Sequence, residues 1–380
     1  MKVALVHDYL KDFGGAERVL EVLSEIYPDA PIYTAFYKQG SSAYERFKNK
    51  RIVTSWAQKI PFFAERLHSP FRFLAPFIWG SFDFSDYDLV IASSSWYVTR
   101  GFKKGPKTIE ICYCHTPPRY LYGYPTSVDW QKYALVRAYA LVVNHFMRVY
   151  DFEAAGRVNF FIANSKEVAG RIKKFYRRDS TVIYPPVDIE KFEIRNPKSE
   201  KKGKYFLVVS RLVAAKNVEL VVELCKKLKL PLKVVGTGRE LQALKELASS
   251  QSTMNSEQST IEFLGDVEDS VLVKLYQYCR AVIFPASQED FGLVPVEAMA
   301  AGKPVIALSE GGVKETVVDQ KTGLLVEDLA QGAFTIALNV FMAKEKKGEW
   351  DAQFIRKQAE KFSKERFKRE ITAFVKSKVK

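Results

Sequence analysis

Short apolar runs alternate with stretches of helical periodicity along the 380-residue chain. That is the pattern of repeated strand–helix–strand units and mainly parallel sheets. In the first half, the runs that predict strands are Lys2–His7, Pro31–Thr34, Asp88–Ser93, Thr108–Tyr113, Asn159–Ala163 and Thr181–Tyr184. Helices fit between them, for example Gly15–Tyr27. Another opens after Asn164-Ser165, where a side chain can cap the first turn and Val168, Ile172 and Phe175 share one face. In the second half the predicted strands are Tyr205–Ser210, Leu232–Val235, Ile261–Leu264, Ala281–Phe284 and Pro304–Leu308. From about Glu349 to Lys380 the chain reads as helical and basic.

Two segments interrupt this rhythm. Ile194–Lys204 is polar, charged and aperiodic, and reads as the junction of two domains. Ser249–Thr260, mostly Ser, Gln and Thr, predicts a flexible surface loop. The chain is also long for a single core. The expected fold is therefore α/β, with two doubly wound, Rossmann-like domains facing across a cleft. Residues 1–190 and 191–350 form the domains, and a helical segment, 351–380, packs back on the first. In such sheets ligands bind at the carboxyl ends of the strands.

Composition narrows the setting. The four cysteines, Cys112, Cys114, Cys225 and Cys279, form no C-x-x-C pair, which fits a reduced, cytosolic compartment. The apolar stretch that opens the chain is too short for a secretory signal, and no run of apolar residues is long enough to span a bilayer. The formal charge is +14, with 26 basic against 19 acidic residues up to position 190 and 32 against 25 beyond it. An excess spread so evenly is no basic tail. A generally solvated surface, an anionic membrane face, an anionic small molecule or nucleic acid would each fit it. No nucleic-acid reader motif is present, so nucleic acid is not an expected partner.

Four stretches carry chemistry. In FPASQEDFGLVPVEAMAAGKPVIAL (Phe284–Leu308) a strand ends, a loop carries Glu289 and Asp290, and a helix opens around Gly292-Leu293. Gly292 permits close backbone approach, the free amides of a helix start suit a diphosphate, and Glu297 can accept from vicinal hydroxyls. Taken alone, the pattern fits a solvated loop and surface helix equally well. In VSRLVAAKN, Arg211 follows a strand and Lys216 comes just before a helix, so both can pair with phosphate oxygens; a basic loop with no ligand is the commoner meaning of that spacing. DFGGAERVLEVL places Gly14-Gly15 between the first strand and an amphipathic helix, a weak anion-accepting signal that is not G-x-G-x-x-G. In ICYCHTPPRYLYGY a strand runs into His115 before two prolines; a structural histidine and a ligand partner fit evenly. The Cys112/Cys114 pair plus His115 falls short of a zinc set.

Together these stretches resemble the family 4 nucleotide-sugar glycosyltransferases, which have the GT-B fold. EDFGLVPVEAMAAGKPVIA, GGAERV, SRLVAAKN, NSKEVAGRIKKFY, VIYPPVD, VGTGRE and FSKERFKREI carry the likeness through nearly the whole chain in order. Glu289 and Glu297 match the spaced glutamate pair of retaining members. The resemblance implies that Arg211 and Lys216 neutralise the donor diphosphate, Glu297 holds the ribose hydroxyls and Glu289 those of the donor sugar. Backbone amides of Phe291, Gly292 and Leu293 would cradle sugar and phosphate, and Gly14 and Gly15 would close over the diphosphate. His115 would be a hydroxyl partner of the donor sugar. The base would lie near Gly236, Gly238 and the segment holding Val267 and Asp269.

CYCHTPPRYLY is similar to the polysaccharide and O-antigen branch, where mannosyltransferases are common, so GDP-mannose is expected ahead of a UDP-sugar. The acceptor would be a glycan or lipid-linked. No cofactor or metal is expected: arginine, lysine and helix-start amides supply the positive field that a metal held by Asp-x-Asp supplies in the other large transferase class. A sugar-nucleotide epimerase of the same fold is the alternative activity. The Phe-rich stretch Ile60–Phe84, broken by Pro61, Pro70 and Pro76, fits core packing or an interfacial seat at the inner face of a membrane. The expected location is cytoplasmic, with peripheral membrane association.

Overall fold

The structure is a computed structural model and describes residues 1–126, 133–192, 203–250 and 260–379. The junction read at 194–204 and the loop read at 249–260 therefore lie almost entirely outside the described residues. The chain divides into two units, Met1–Pro186 with Lys364–Lys380, and Val187–Ser363.

The first unit holds seven strands: β1 (Val3–His7), β2 (Ile32–Thr34), β3 (Ile52–Thr54), β4 (Leu89–Ser94), β5 (Ile109–Cys114), β6 (Phe160–Ala163) and β7 (Ser180–Val182). They are parallel, in the order β3-β2-β1-β4-β5-β6-β7. Every residue of β1 and β4 is buried, as expected of central strands covered on both faces. Six of the seven were legible as apolar runs. β3 was missed because three half-buried residues do not make a run. Its helices are α1 (Gly15–Ile26), α2 (Ser42–Phe47), α3 (Ala75–Gly80), α4 (Ala134–Arg157) and α5 (Lys166–Tyr176). The cap read at Ser165 is present: its Oγ accepts from the Val168 amide at 3.1 Å. Val168 and Ile172 are buried with Tyr176, whereas Phe175 is only partly covered. Between α4 and the sheet, the fully buried Arg100 and Asp151 pair at 3.1 Å, and the hydroxyls of Tyr122 and Tyr176 donate to Asp151.

The second unit has six parallel strands: β8 (Tyr205–Val209), β9 (Leu232–Val235), β10 (Ile261–Gly265), β11 (Cys279–Phe284), β12 (Val305–Leu308) and β13 (Gly323–Val326). Their order is β10-β9-β8-β11-β12-β13. Here the sequence reading missed only β13. Its helices are α6 (Val218–Lys227), α7 (Leu241–Ser249), α8 (Asp269–Tyr278), α9 (Leu293–Ala300), α10 (Val313–Thr316), α11 (Gln331–Lys347) and α12 (Ala352–Glu360). The basic end of the chain is two helices. α12 packs on α9 in the second unit; α13 (Lys364–Lys378) sets Phe367, Ile371 and Val375 into the core of the first. Both sheets reverse their order once, between β1 and β4 and between β8 and β11. Loops diverge at such switch points and leave a crevice for ligands beside the strand ends.

Candidate active site

In the second unit, Ser210 and Arg211 follow β8 directly, and the β11 loop carries Glu289. Lys216 ends a short 3-10 turn, Ala214–Lys216, after which Asn217 takes a left-handed φ of 50° and turns the chain into α6. Asn217 Nδ2 donates to the Pro285 carbonyl at 2.9 Å, which ties the Lys216 turn to the β11 loop. Lys216 Nζ donates to Glu289 Oε2, and both side chains are about one-fifth exposed. The lysine read as a phosphate partner and the glutamate read as a sugar partner thus neutralise each other. Arg211 is exposed, and its guanidinium has no partner among the described residues.

Backbone contacts shape the Glu289 loop. A Cβ on Gly311, whose φ is +62°, would stand 2.1 Å from the Glu289 carbonyl oxygen. One on Gly312 would stand 2.5 Å from that of Asp290, and the Gly312 amide donates to the Glu289 carbonyl at 2.9 Å. The loop after β12 therefore lies flush on Glu289–Phe291 because two glycines let it. Gly292 caps α9 with φ +88° and has no side chain to offer, so the first amides of the helix lack a capping side chain. α9 is apolar and buried from Pro295 to Ala300, with Glu297 alone as a charged member, 2% exposed. A carboxylate there needs partners; the Tyr276 hydroxyl, from α8, donates to its Oε2 at 2.7 Å.

The region read for a base is assembled by backbone. A Cβ at Gly236 (φ +123°) would meet the Ser210 carbonyl oxygen at 1.9 Å, and one at Gly238 that of Leu212 at 2.1 Å. The β9 loop thus presses on the Arg211 loop. Gly265 ends β10 with φ +66° and accepts from the Gly236 amide at 2.7 Å. Val267 is half-buried, while Asp269 is exposed and paired with Lys191 at 2.5 Å. A cavity of about 310 Å³ lies against the Lys216 loop, lined by Val213, Ala214 and Asn217 with Glu219, Glu223 and Glu240; those carboxylates repel phosphate.

In the first unit the strand ends at the switch point carry a polar cluster. His7 ends β1, Ser93 lies near the end of β4, and His115 follows β5. His7 Nδ1 is 3.0 Å and His115 Nε2 2.8 Å from Ser93 Oγ, and His7 Nε2 is 3.2 Å from Glu17 Oε1. Glu17 Oε2 accepts from the Gly14 amide at 2.8 Å, closing the start of α1. Burial, and then the neighbouring His7, push the His115 pKa down to about 3, so the imidazole is neutral at physiological pH.

Two expectations change. Gly14 has φ −134°, outside the left-handed region, and Glu17 holds its amide, so it is not an open donor in this state. One Asp-x-Asp does occur, Asp86-Tyr87-Asp88, which the sequence reading passed over. It stands before β4, at the end of the sheet away from His7 and Ser93, and Asp88 accepts from the Lys2 amide at 2.6 Å. His7, Ser93, Glu17, Tyr276, Gly311 and Gly312 were not singled out. Glu17 three residues after Gly14 and the Gly311-Gly312 doublet after a strand were legible signals; nothing local marks Tyr276.

Two doubly wound sheets of this order define the class of α/β proteins that take ligands beside the strand ends at their switch points. Family comparisons make it specific: residues 13–191 match Glycosyltransferase Family 4 and residues 190–362 match Glycosyl transferases group 1. The chain belongs to the family 4 glycosyltransferases, with the GT-B fold. It is 28% identical to an uncharacterized glycosyltransferase of Methanocaldococcus jannaschii, over 44% of each chain. It is 27% identical to the alpha-1,3/1,6-mannosyltransferase ALG2 of Mus musculus, over 64% of this chain and 62% of the relative. The chain thus spans less than two thirds of the length of these relatives. The Candida glabrata ALG2 is 26% identical over 84% of this chain and 78% of its own. Among solved structures, Anabaena HepE with UDP and glucose superposes with TM-score 0.73 at 20% identity, covering 99% of this chain and 100% of that one. Sucrose-phosphate synthase of Thermosynechococcus elongatus gives 0.72 at 16%, covering 99% of each. These likenesses show the fold.

Proposed function

We propose that this protein is a retaining, metal-independent hexosyltransferase that moves mannose from GDP-mannose, ahead of any UDP-sugar, to a glycan or lipid-linked acceptor. The observation that carries it is the set at the switch point of the second unit: Arg211 unpaired among the described residues, Lys216 on Glu289, and Glu297 buried in α9. A pyrophosphate would draw Lys216 and Arg211 onto its oxygens and release Glu289 to the sugar hydroxyls, with the first amides of α9 on the phosphate. Glu297, anchored by Tyr276, is a fixed acceptor for ribose hydroxyls. The Gly236, Gly238 and Val267 region takes the base, and the first unit serves the acceptor. In the chemical step the acceptor oxygen bonds to the anomeric carbon on the face from which the phosphate oxygen departs. The acceptor proton passes to that oxygen, and nucleoside diphosphate leaves. The mannosyl reading draws support from the ALG2 relatives; HepE was solved with UDP.

Thermal shifts with GDP, UDP, ADP and their sugars test the donor. GDP and GDP-mannose should stand out; stabilisation by UDP alone would overturn the GDP assignment. EDTA should leave turnover unchanged. GDP-mannose incubated alone and converted to another GDP-sugar would show an epimerase instead.

Peripheral membrane association is part of the proposal. No helix among the described residues is long and apolar enough to cross a bilayer. The Ile60–Phe84 stretch divides: Phe63, Ile78, Trp79, Phe82 and Phe84 are core, while Phe62, Phe71, Phe73 and Phe77 are exposed. Exposed beside them on α4 are Leu135, Leu141, Val142 and Phe146; Arg72 donates to Asn144 at 3.0 Å and joins the two segments. Isolated apolar residues are ordinary, but a surface this rich in them marks an interaction site. Leu141→Glu with Phe146→Glu should abolish cosedimentation with anionic vesicles at low salt. Failure of the unmodified protein to sediment would end this part of the reading.

A further inference from the structure

With Glu17 ionised and both imidazoles neutral, the polar chain Glu17–His7–Ser93–His115 has a single hydrogen-bond direction. Glu17 has two oxygens and, when ionised, no proton to give. Its Oε2 already accepts from Gly14, and its Oε1, 3.2 Å from His7 Nε2, accepts the imidazole N–H. A neutral His7 has one such proton. With it on Nε2, Nδ1 is a lone pair, and the Ser93 hydroxyl, 3.0 Å away, must donate to it. Ser93 Oγ then has only lone pairs left for His115 Nε2 at 2.8 Å. His115 Nε2 therefore carries its proton, leaving Nδ1 as an acceptor with no partner among the described residues.

We infer that Glu17, His7 and Ser93 are positioning residues that hold His115 in the tautomer presenting Nδ1 as a hydrogen-bond acceptor, so that His115 takes a proton-donating hydroxyl of a sugar and does not itself donate. The inference rests on the proposed transfer reaction for the identity of that hydroxyl, not for the tautomer. Three of the four members of the polar chain are buried, His7, Ser93 and His115 at 1%, 0% and 8% exposed, while Glu17 is partly covered. Bulk water therefore does not reset the proton positions. Glu17 has a second task. By holding the Gly14 amide it ties the start of α1 to the same chain, so any ligand that displaces Glu17 from Gly14 also acts on His115.

The decisive variant is Glu17→Gln. Its carbonyl can keep the Gly14 amide while its NH2 donates to His7 Nε2. His7 must then carry its proton on Nδ1 and donate to Ser93, Ser93 must donate to His115 Nε2, and His115 Nδ1 becomes a donor. One side-chain oxygen exchanged for nitrogen should reverse every hydrogen bond in the chain without altering packing. The protein has four histidines, so nitrogen-15 NMR of the imidazoles can assign each by single replacement. In the resting protein His115 should be the Nε2–H tautomer. In Glu17→Gln it should be the Nδ1–H tautomer; Glu17→Gln combined with Ser93→Ala should lose that switch. Kinetically, Glu17→Gln should lower kcat/KM by about 10- to 100-fold, and adding it to Ser93→Ala should cost no more than Ser93→Ala alone. An Nδ1–H His115 in the unmodified protein, or a tautomer indifferent to Glu17→Gln, would overturn the inference. Because the spectra need no sugar donor, a switching tautomer in a protein that transfers no sugar would sink the proposed function and leave the relay standing.

Discussion

Two helices in this protein begin with glycine at the carboxyl end of a central strand, and they are built in opposite ways. At α1 the start is closed by its own sequence: Glu17, in the first turn, accepts from the Gly14 amide at 2.8 Å, and Gly14 has an ordinary extended conformation. At α9 no side chain caps the start, Gly292 has φ +88°, and the loop is held by Gly311 and Gly312 lying flush on its backbone. The nearby carboxylates differ likewise. Glu17 points back over its own helix start, whereas Glu297 sits a turn into α9 and is held by Tyr276 of a neighbouring helix. Glu17 engages only the Gly14 amide, and neither glycine has a side chain to cap the first helical amides, so what sets α9 apart is the bracing of its loop by Gly311 and Gly312. On the proposed reading, the diphosphate binds at this braced loop, beside Lys216 and Glu289.

That contrast can be broken at five positions. Gly311→Ala should be the most damaging, because the residue is left-handed and its Cβ would overlap the Glu289 carbonyl. A loss of about 3 kcal/mol is expected in urea unfolding, and native stability would show that the loop is not braced there. Glu297→Ala should lower kcat/KM by about 10²-fold, or ~2.7 kcal/mol; Lys216→Ala should behave alike, and near-native turnover of either removes that residue from the donor site.

Acid should separate the units next. All four histidines, His7, His68, His115 and His145, lie in the first unit. His115 has its pKa pushed down to about 3, so the unfolded chain takes up a proton there that the native state refuses. Its contribution to stability is fully present above about pH 6.5 and falls by about 1.4 kcal/mol for each pH unit below that, until pH 3. Unfolding followed by pH should show this slope in the first unit and its loss in His115→Gln; a slope unchanged in that variant would contradict the assignment. The smallest effect is expected of Gly14→Ser. Serine adopts that conformation and caps well, so stability should move by only a few tenths of a kcal/mol, and a loss of several would mean that the glycine is required for more than the cap.

Eleven of the thirteen strands were visible as apolar runs, because a strand buried on both faces must be apolar almost throughout. The two missed, β3 and β13, span three and four residues. Much of the proposed site was visible too. Arg211, Lys216, Glu289 and Glu297 each stand beside a strand end or helix start, and that position is written in the local sequence. Other features were not visible. The Phe-rich stretch offered no sign of which rings would be core and which exposed. α4 passed unremarked, although it exposes Leu135, Leu141, Val142 and Phe146.

The sequence by itself determined the periodicities, the glycines and the charged residues at the strand ends, and through them two wound sheets; its run of motifs carried the resemblance to the family 4 glycosyltransferases. These depend on neighbours along the chain, where steric and capping preferences act. Only the tertiary structure decided that Lys216 and Glu289 neutralise each other, that Tyr276 anchors Glu297, and that His7, Ser93 and His115 meet. Those partners stand 73, 21 and up to 108 residues apart. A buried polar group finds its hydrogen bond wherever packing brings a partner, and no local pattern records that choice.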